Sequence, residues 1–210
     1  TASAATPADP ALATFFAKLR AGEKQSVVAY GTSVTRDGAW VKLMDDWFAQ
    51  KFPGQVTVIN SGGRGQNSVW GLANVEPQVL AHHPGLVFIE FGINDAHERF
   101  KLPVEQCRKN LDGIIAAIRA QNSDTAIVLQ TMNALWDAPN GFKTADTSRP
   151  HLNDCYENYR AAARELHLPL VDNYPAWLKM KQTDYAHFQA LLPDGTHPNN
   201  YGGYLLSRIV

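Results

Sequence analysis

The stretch Ser26-Val-Val-Ala-Tyr-Gly-Thr-Ser33 indicates the fold of this 210-residue chain. Its apolar run, Val27 to Tyr30, is short and unbroken, as is typical of a strand buried on both faces of a parallel sheet. The run ends in small residues at Gly31, where such a strand passes into a loop and then a helix. Ligands of open α/β sheets bind at this carboxyl edge. Ser33 is therefore a candidate nucleophile.

The same pattern recurs along the chain, with helical periodicity between the apolar runs. Strands are predicted at about 25–32, 56–59, 86–91, 126–129 and 168–171. Helices are predicted at about 10–22, 40–52, 69–82, 103–118, 152–166 and 201–209. This alternation predicts a three-layer α/β/α sandwich around a flavodoxin-like, five-stranded parallel sheet in the order 2-1-3-4-5.

Length and composition predict one domain over residues 1–210, since no repeat, low-complexity tract or linker divides the chain. Residues 1–8 are expected to form a flexible N-terminal spacer. Their Ala-, Thr- and Pro-rich composition resembles what remains after removal of a signal peptide, although a trimmed chain has the same appearance. We therefore expect a secreted or periplasmic protein and leave a cytoplasmic location open.

Charge and hydropathy narrow the classes of partner. Hydrophobic residues make up 45% of the chain, charged residues 19%, and the net charge is −1, so nothing favours nucleic acid or an anionic membrane. No apolar run approaches the ~20 residues of a membrane span.

Cys107 and Cys155 lack metal-ligand spacing and are expected to be buried thiols, with a disulfide as the alternative in an exported protein. Neither a metal nor a cofactor is expected, and the oligomeric state is left open.

Suggestive polar residues follow the predicted strands at one edge of the sheet. Gly65 lies in a glycine-rich loop after the second strand, and Asn94 follows the third. Asp194 and His197 lie three residues apart on a predicted turn, which would let the carboxylate orient the imidazole. Serine hydrolysis needs a nucleophile, a base, a group that fixes the base and preorganised donors. Together with Ser33, these residues predict that chemistry.

Four short blocks give the chain a resemblance to the SGNH-hydrolase (GDSL esterase/lipase) superfamily, and to its carbohydrate-esterase members in particular. The blocks are Gly31-Thr-Ser33, Asn60 to Gly65, Gly92-Ile-Asn-Asp95 and Asp194-Gly-Thr-His197. The resemblance implies a carboxylic-ester hydrolase with Ser33 as nucleophile, His197 as base and Asp194 as the residue that orients it. It also implies an oxyanion hole made by the backbone N–H groups of Ser33 and Gly65 and by the side chain of Asn94.

Thr32 departs from the family pattern, which has Asp at that place, and we interpret this as a difference in substrate or in loop packing.

Two other activities are alternatives to ester hydrolysis. A flavodoxin-like module would cradle a cofactor phosphate in the loop from Gly31 to Thr35, but Asn94 and the Asp194–His197 pair then have no role. An acyltransferase would use the same triad with an alcohol as acceptor.

The expected substrate is a small-molecule or polysaccharide ester from which acetyl or other short acyl groups are removed. Arg64, Trp70 and Trp136 are candidate substrate contacts; Phe142 and Tyr185 are further aromatic candidates, and Asn140, Lys143 and Arg149 could reach sugar hydroxyls. The segment 133–150 is mostly polar, unlike a lipase lid. By family analogy, we favour a carbohydrate acetylesterase over a lysophospholipase or thioesterase.

Overall fold

A computed structural model describes residues 9–207, and its centre is one parallel sheet in the order β2-β1-β3-β4-β5. The strands are β1 (Gln25–Gly31), β2 (Val56–Gly62), β3 (Leu86–Glu90), β4 (Ala126–Thr131) and β5 (Leu170–Asp172). The predicted strand order is confirmed. The fifth strand begins two residues later than predicted and extends to Asp172, whose carboxylate accepts a hydrogen bond from Thr131 Oγ1 at 2.6 Å.

Eleven α-helical segments are assigned among residues 9–207. They are α1 (Pro10–Arg20), α2 (Ser33–Arg36), α3 (Ala39–Lys51), α4 (Ser68–Ala73), α5 (Val75–Gln78), α6 (Gly92–Asp95), α7 (Val104–Gln121), α8 (Leu152–Leu166), α9 (Tyr174–Thr183), α10 (Tyr185–Leu191) and α11 (Asn200–Ser207). Short 3₁₀ turns occur at Leu80–His82 and Glu98–Phe100.

The side chains of β1 alternate between two apolar clusters. Val27 and Ala29 pack into the cluster that includes α1, α3 and α11, whereas Val28 and Tyr30 pack into the cluster of α5, α7 and α8. Every residue of β3 and β4 is buried, because helices cover both faces of the sheet. These contacts confirm the three-layer α/β/α sandwich.

The helix predicted at 69–82 is broken into α4, α5 and a 3₁₀ turn. Pro77 has no backbone N–H and cannot donate to the carbonyl group of Ala73, so the helical ladder is interrupted there. Asn74 closes the end of α4, because its side-chain amide and its backbone N–H both donate to the Trp70 carbonyl at 2.9 and 3.0 Å. The short helices α2 and α6, which carry site residues, and helices α9 and α10 were not predicted.

Cys107 on α7 and Cys155 on α8 are buried free thiols whose sulfur atoms lie 3.9 Å apart. Along the described stretch from 9 to 207, no helix is both long and apolar enough to cross a bilayer. The predicted spacer at 1–8 and the last residues of the predicted C-terminal helix, including Ile209, lie outside the described residues.

Candidate active site

The site is built where three neighbouring strands end. Gly31, the last residue of β1, pairs with Gly62 of β2 on one side and with Glu90 of β3 on the other. The loops that begin after these residues carry Ser33, Gly65 and Asn94, so the sheet register itself brings the three predicted loops together. A Cβ atom at position 31 would collide with the Glu90 carboxylate, which accounts for the glycine.

The end of β2 is fastened to α2 by the side chain of Asn60. Asn60 Nδ2 donates to the carbonyl oxygens of Thr35 and Arg36 at 3.1 and 3.2 Å, and its Oδ1 accepts from the Gly62 N–H at 3.0 Å. This places the glycine-rich loop beside the helix that begins with Ser33. Gly65 in that loop has φ +67°, a conformation that favours glycine.

The buried carboxylate of Glu90 fixes the turn that precedes Ser33. Its Oε1 accepts from the Thr32 N–H at 2.6 Å and from the hydroxyl groups of Thr32 and Thr35 at 2.9 and 2.6 Å. Burial raises the pKa of Glu90 to about 7, against the effect of these three donors. Thr32 is itself fully buried, and its Oγ1 also accepts from the Val34 N–H at 3.2 Å, capping α2.

The turn after α10 carries Asp194 and His197. Asp194 Oδ1 accepts from the backbone N–H groups of Thr196 and His197 at 2.8 and 2.7 Å, and Oδ2 bonds to the His197 Nδ1 at 2.7 Å. Burial works to raise the pKa of Asp194, but the His197 ring and the two N–H groups outweigh it and hold the pKa below its usual value. The carboxylate therefore fixes both the turn and the ring.

The imidazole bridges this turn to the strand-end serine. His197 Nε2 lies 2.8 Å from Ser33 Oγ, across 164 residues of sequence. With Nδ1 held by Asp194, the ring can carry its proton on Nδ1 and leave Nε2 as an acceptor. The arrangement can therefore take a proton from the Ser33 hydroxyl, which is the first chemical step of nucleophilic catalysis by serine.

Ser33, Gly65 and Asn94, the residues predicted to form the oxyanion hole, all line one cavity and each has an N–H group to offer. The Ser33 N–H is in the first turn of α2, where a helix offers it no acceptor. The Gly65 N–H donates to no acceptor between residues 9 and 207. Asn94 is 4% exposed, and its Nδ2 donates to the Gln66 carbonyl at 2.7 Å, which orients the amide and leaves a second N–H.

A cavity of about 460 Å³ opens over these groups, and Ser33, Gly65, Asn94 and His197 all line it. The long segment between β4 and α8 forms its far wall. Phe142 lies with its ring centroid 5.7 Å from the His197 ring, and its backbone N–H donates to the Asp194 carbonyl at 2.8 Å. The volume is within the usual range for small-molecule sites.

The structure separates the candidate substrate contacts into two groups. Arg64 lines the cavity and forms a bidentate pair with Asp37, whose pKa is lowered by that hydrogen bond. Trp70 instead packs on Tyr30 and Phe91, outside the cavity lining. Trp136 is also outside it, with its Nε1 donating to the Leu192 carbonyl at 2.8 Å.

Sequence reasoning missed three residues of this region, namely Asp37, Glu90 and Arg99. In the sequence, Glu90 looks like an ordinary residue of a buried strand. Only the pairing of Glu90 with Gly31 in the sheet shows that it lies next to Thr32. Arg99 lies in the 3₁₀ turn Glu98–Phe100, which has no sequence signature, yet its Nη2 donates to the Gly65 carbonyl at 3.3 Å. No group of three potential ligands (His, Cys, Asp or Glu) that could hold a metal ion occurs within residues 9–207.

Several known proteins resemble this chain. Thioesterase 1/protease 1/lysophospholipase L1 of Escherichia coli strain K12 is 24% identical over 170 residues, which cover 80% of this chain and 70% of that protein. A lipase/acylhydrolase from Enterococcus faecalis is 25% identical and superposes with a TM-score of 0.73, covering 88% of this chain and 92% of that one. Axe2, an acetylxylan esterase from Geobacillus stearothermophilus, shares the fold at 21% identity and a TM-score of 0.72, covering 90% and 93%.

A family model described as the GDSL-like Lipase/Acylhydrolase family matches residues 26–203, which is most of the chain. The match confirms the resemblance inferred from the four sequence blocks, and it leaves the flavodoxin-like alternative without support. The chain belongs to the GDSL-like lipase/acylhydrolase family and is a carboxylic-ester hydrolase.

Proposed function

We propose that this enzyme is a serine esterase in which Ser33 is the nucleophile, His197 the general base and Asp194 the residue that orients the base. The observation that carries the proposal is the continuous chain of hydrogen bonds, 2.8 Å from Ser33 Oγ to His197 Nε2 and 2.7 Å from His197 Nδ1 to Asp194 Oδ2. It lies at the floor of an open cavity, where an ester can reach the serine.

The proposed reaction has two halves. His197 Nε2 accepts the proton of Ser33 as Oγ attacks the ester carbonyl carbon, and the carbonyl oxygen becomes an oxyanion. The N–H groups of Ser33 and Gly65 and the Asn94 amide would donate to that oxygen. When the intermediate collapses, the alcohol leaves with the proton from His197. Water then attacks the acyl-serine by the same route, and the acid is released while Ser33 regains its proton.

The lining of the cavity favours a short acyl group on a carbohydrate alcohol. Phe142 is the one large apolar side chain among the lining residues of the described chain, and it is 55% exposed. The rest of the lining is mainly hydroxyl, amide and charged groups, which suit sugar hydroxyls and offer no apolar channel for a long acyl chain. The name of the Escherichia coli relative keeps thioesterase or lysophospholipase activity as the second candidate.

Replacing Ser33 by Ala tests the nucleophile. Turnover of 4-nitrophenyl acetate should fall on the order of 10⁴- to 10⁶-fold, because no other group can form the acyl-enzyme. Ser61→Ala is the matched control, since it also removes a hydroxyl at a strand end, one that donates to the Gln78 carbonyl at 2.6 Å away from the cavity. A folded Ser33→Ala enzyme that keeps a tenth of the wild-type rate would refute the assignment.

A substrate panel tests the acyl and alcohol classes. Acetylated monosaccharides should be hydrolysed with a higher kcat/KM than aryl esters whose acyl chain exceeds about six carbons, because the cavity lacks an apolar channel. Rising kcat/KM with chain length, or faster turnover of acyl thioesters, would establish the second candidate. Adding an acceptor alcohol and measuring transferred ester separates hydrolysis from acyl transfer.

A further inference from the structure

The catalytic cavity contains a buried cation that no carboxylate pairs with. Arg149 is 8% exposed; its Nε donates to the Ile93 carbonyl at 2.8 Å and its Nη1 to the Ala145 carbonyl at 2.5 Å. No ion pair involves Arg149, and its Nη2 has no hydrogen-bond partner, within residues 9–207. A buried charge is normally paired, because removing it from water is costly. The absence of a carboxylate beside Arg149 among the described residues therefore needs an explanation.

A second cation lies beside the first. Arg99 also lines the cavity and is exposed; its guanidinium is 4.5 Å from the centroid of the Phe100 ring, and none of the described carboxylates pairs with it. Arg99 and Arg149 are close enough to repel each other. Burial, together with that repulsion, lowers the pKa of Arg149 to about 10, which still leaves it charged at neutral pH.

The other charged residues in and near the cavity lining do not neutralise Arg149 and Arg99. Asp37 is the one carboxylate among the lining residues of the described chain, and Arg64 holds it in a bidentate pair. Asp146 is the acidic residue whose charge acts on Arg149, but its Oδ2 accepts a hydrogen bond from Lys181 Nζ at 2.6 Å. Lys143 adds a further exposed cation to the lining. The cavity therefore has an excess of positive charge next to the catalytic groups.

His97 also lines the cavity, and the charges of both arginines act on it. Burial and the positive charges of Arg149 and Arg99 lower the pKa of His97 to about 4, so that its ring is neutral at physiological pH. Its Nδ1 accepts the Arg99 backbone N–H at 3.3 Å, which directs Nε2–H as a donor. The site thus presents N–H donors and positive charge without a matching acceptor.

We propose that the cavity binds a carboxylate on the alcohol part of the ester, the chemistry of an acetylated uronic acid, with Arg149 and Arg99 as its ligands. This proposal rests on the proposed esterase function and names its substrate class. Guanidinium groups suit carboxylates in both charge and donor geometry. A bound carboxylate would supply the counter-charge that Arg149 lacks, while the acetyl group occupies the space beside Ser33.

Two sugars that differ only in the group at C6, a carboxylate or a hydroxymethyl group, test the proposal. A mono-acetylated methyl glucuronide and the methyl glucoside acetylated at the same position differ only in the carboxylate. The wild-type enzyme should show a kcat/KM at least tenfold higher for the glucuronide at low ionic strength, and added salt should reduce the preference. Equal kcat/KM values for both sugars would overturn the anion site and leave the esterase function intact.

Three variants test whether Arg149 and Arg99 cause the preference for the glucuronide. Arg149→Met and Arg99→Gln should each reduce the glucuronide preference at least threefold. Because Arg149 also bonds to two backbone carbonyls and its loss could unfold the protein, the exposed Arg99 keeps the proposal testable. Arg119→Gln removes an exposed arginine of α7 that is not part of the cavity lining, and it should leave the preference unchanged. A preference that survives both cavity variants would overturn the assignment of these ligands.

Binding to the Ser33→Ala variant separates this proposal from turnover. Calorimetric titration should detect methyl glucuronide and not methyl glucoside, and Arg99→Gln in the same background should abolish the difference. This outcome supports the carboxylate site even if no acetylated sugar is hydrolysed. Inorganic phosphate is the third probe: phosphate binding as tight as that of glucuronide would overturn the carboxylate assignment in favour of a general anion site.

Discussion

The proposed nucleophile, Ser33, and the proposed base, His197, are held in place by different means. Thr32, which precedes Ser33, is hydrogen-bonded to Glu90 across 58 residues of sequence, and both side chains are buried. The bonds that orient His197 are local, within the three residues from Asp194, and the two side chains are 35% and 30% exposed; the carbonyl groups of the turn accept hydrogen bonds from the segment 133–142. The serine end therefore depends on the packed core, whereas the base end depends on a short segment laid over it.

This difference implies that the two ends respond differently to substitution. Changes under the serine should alter stability as well as rate, because a buried hydrogen-bonded group is lost. Changes in the base turn should alter the rate with little loss of stability, since water can replace lost contacts. Each variant below is therefore measured for kcat, KM and the free energy of unfolding.

Among the variants compared here, Asp194→Asn gives the largest expected effect. The amide oxygen can still accept the N–H groups of Thr196 and His197, so the turn should persist and the free energy of unfolding should change by less than about 1 kcal/mol. The rate should fall on the order of 10⁴-fold, because a neutral amide neither fixes the ring tautomer nor stabilises the imidazolium.

A surface pair provides the control for this variant. Asp154 and His151 also lie three residues apart, with 3.1 Å between Oδ2 and Nδ1, but both are exposed. Asp154→Asn should leave turnover unchanged. A large loss of stability in Asp194→Asn would contradict the view that the base turn is independent of the core.

Asn94→Ala is expected to lower kcat on the order of 100-fold with KM unchanged, because its amide is assigned to the charge that develops in the transition state. The variant also leaves the Gln66 carbonyl without its donor, so stability should fall by about 1–3 kcal/mol. Asn67→Ala is the matched control: Asn67 is 7% exposed and caps α4, so its loss should destabilise the protein without lowering kcat. A rise in KM with constant kcat would assign Asn94 to ground-state binding.

Glu90→Gln should have a modest effect on rate, less than about tenfold, because the amide oxygen can accept the same three hydrogen bonds. Its clearer signature is the pH dependence of stability. The pKa of Glu90 is raised from 4.5 to about 7 in the folded protein, so between these values the folded state retains a proton that the unfolded chain has lost. The stability that this proton contributes is complete below pH 4.5 and is lost as pH rises to about 7.

The measurement is the unfolding free energy of wild type minus that of Glu90→Gln across this range. The difference should fall by on the order of 3 kcal/mol between pH 4.5 and 7 and then level off. Glu23→Gln, which changes an exposed glutamate, should not reproduce the slope. A flat difference would show that burial of Glu90 is not linked to folding in this way.

Phe142→Ala has the smallest expected effect, a two- to fivefold loss in kcat/KM, because the ring contacts His197 but is 55% exposed. Stability should be unchanged within about 0.5 kcal/mol. Tyr201→Ala, which removes an aromatic ring that is 71% exposed on α11, is the control and should change neither quantity. A loss above 100-fold would mean that Phe142 positions the imidazole.

Much of the fold could be predicted, because buried parallel strands are short apolar runs and the handedness of their connections limits the topology. The blocks around Ser33, Asn94 and His197 were recognisable for a related reason: each follows a strand or occupies a local turn. Glu90 and Arg99 could not be found this way, since their importance arises from register and from loop conformation. Trp70 is similar: its size and position suggested a ligand contact, but the ring fills space against Tyr30 and Phe91.

The neighbouring thiols of Cys107 and Cys155 offer a way to measure how often the two helices that carry them move apart. They are 3% and 1% exposed on two different helices, and the hydrogen bond between the two thiols, together with burial, raises the pKa of Cys107. A thiol reagent should therefore react only after α7 and α8 separate, and the labelling rate should measure how often they do. Comparing that rate with and without a bound sugar would reveal whether occupancy of the cavity slows the separation of these two helices, which pack against the α6 segment that carries Asn94.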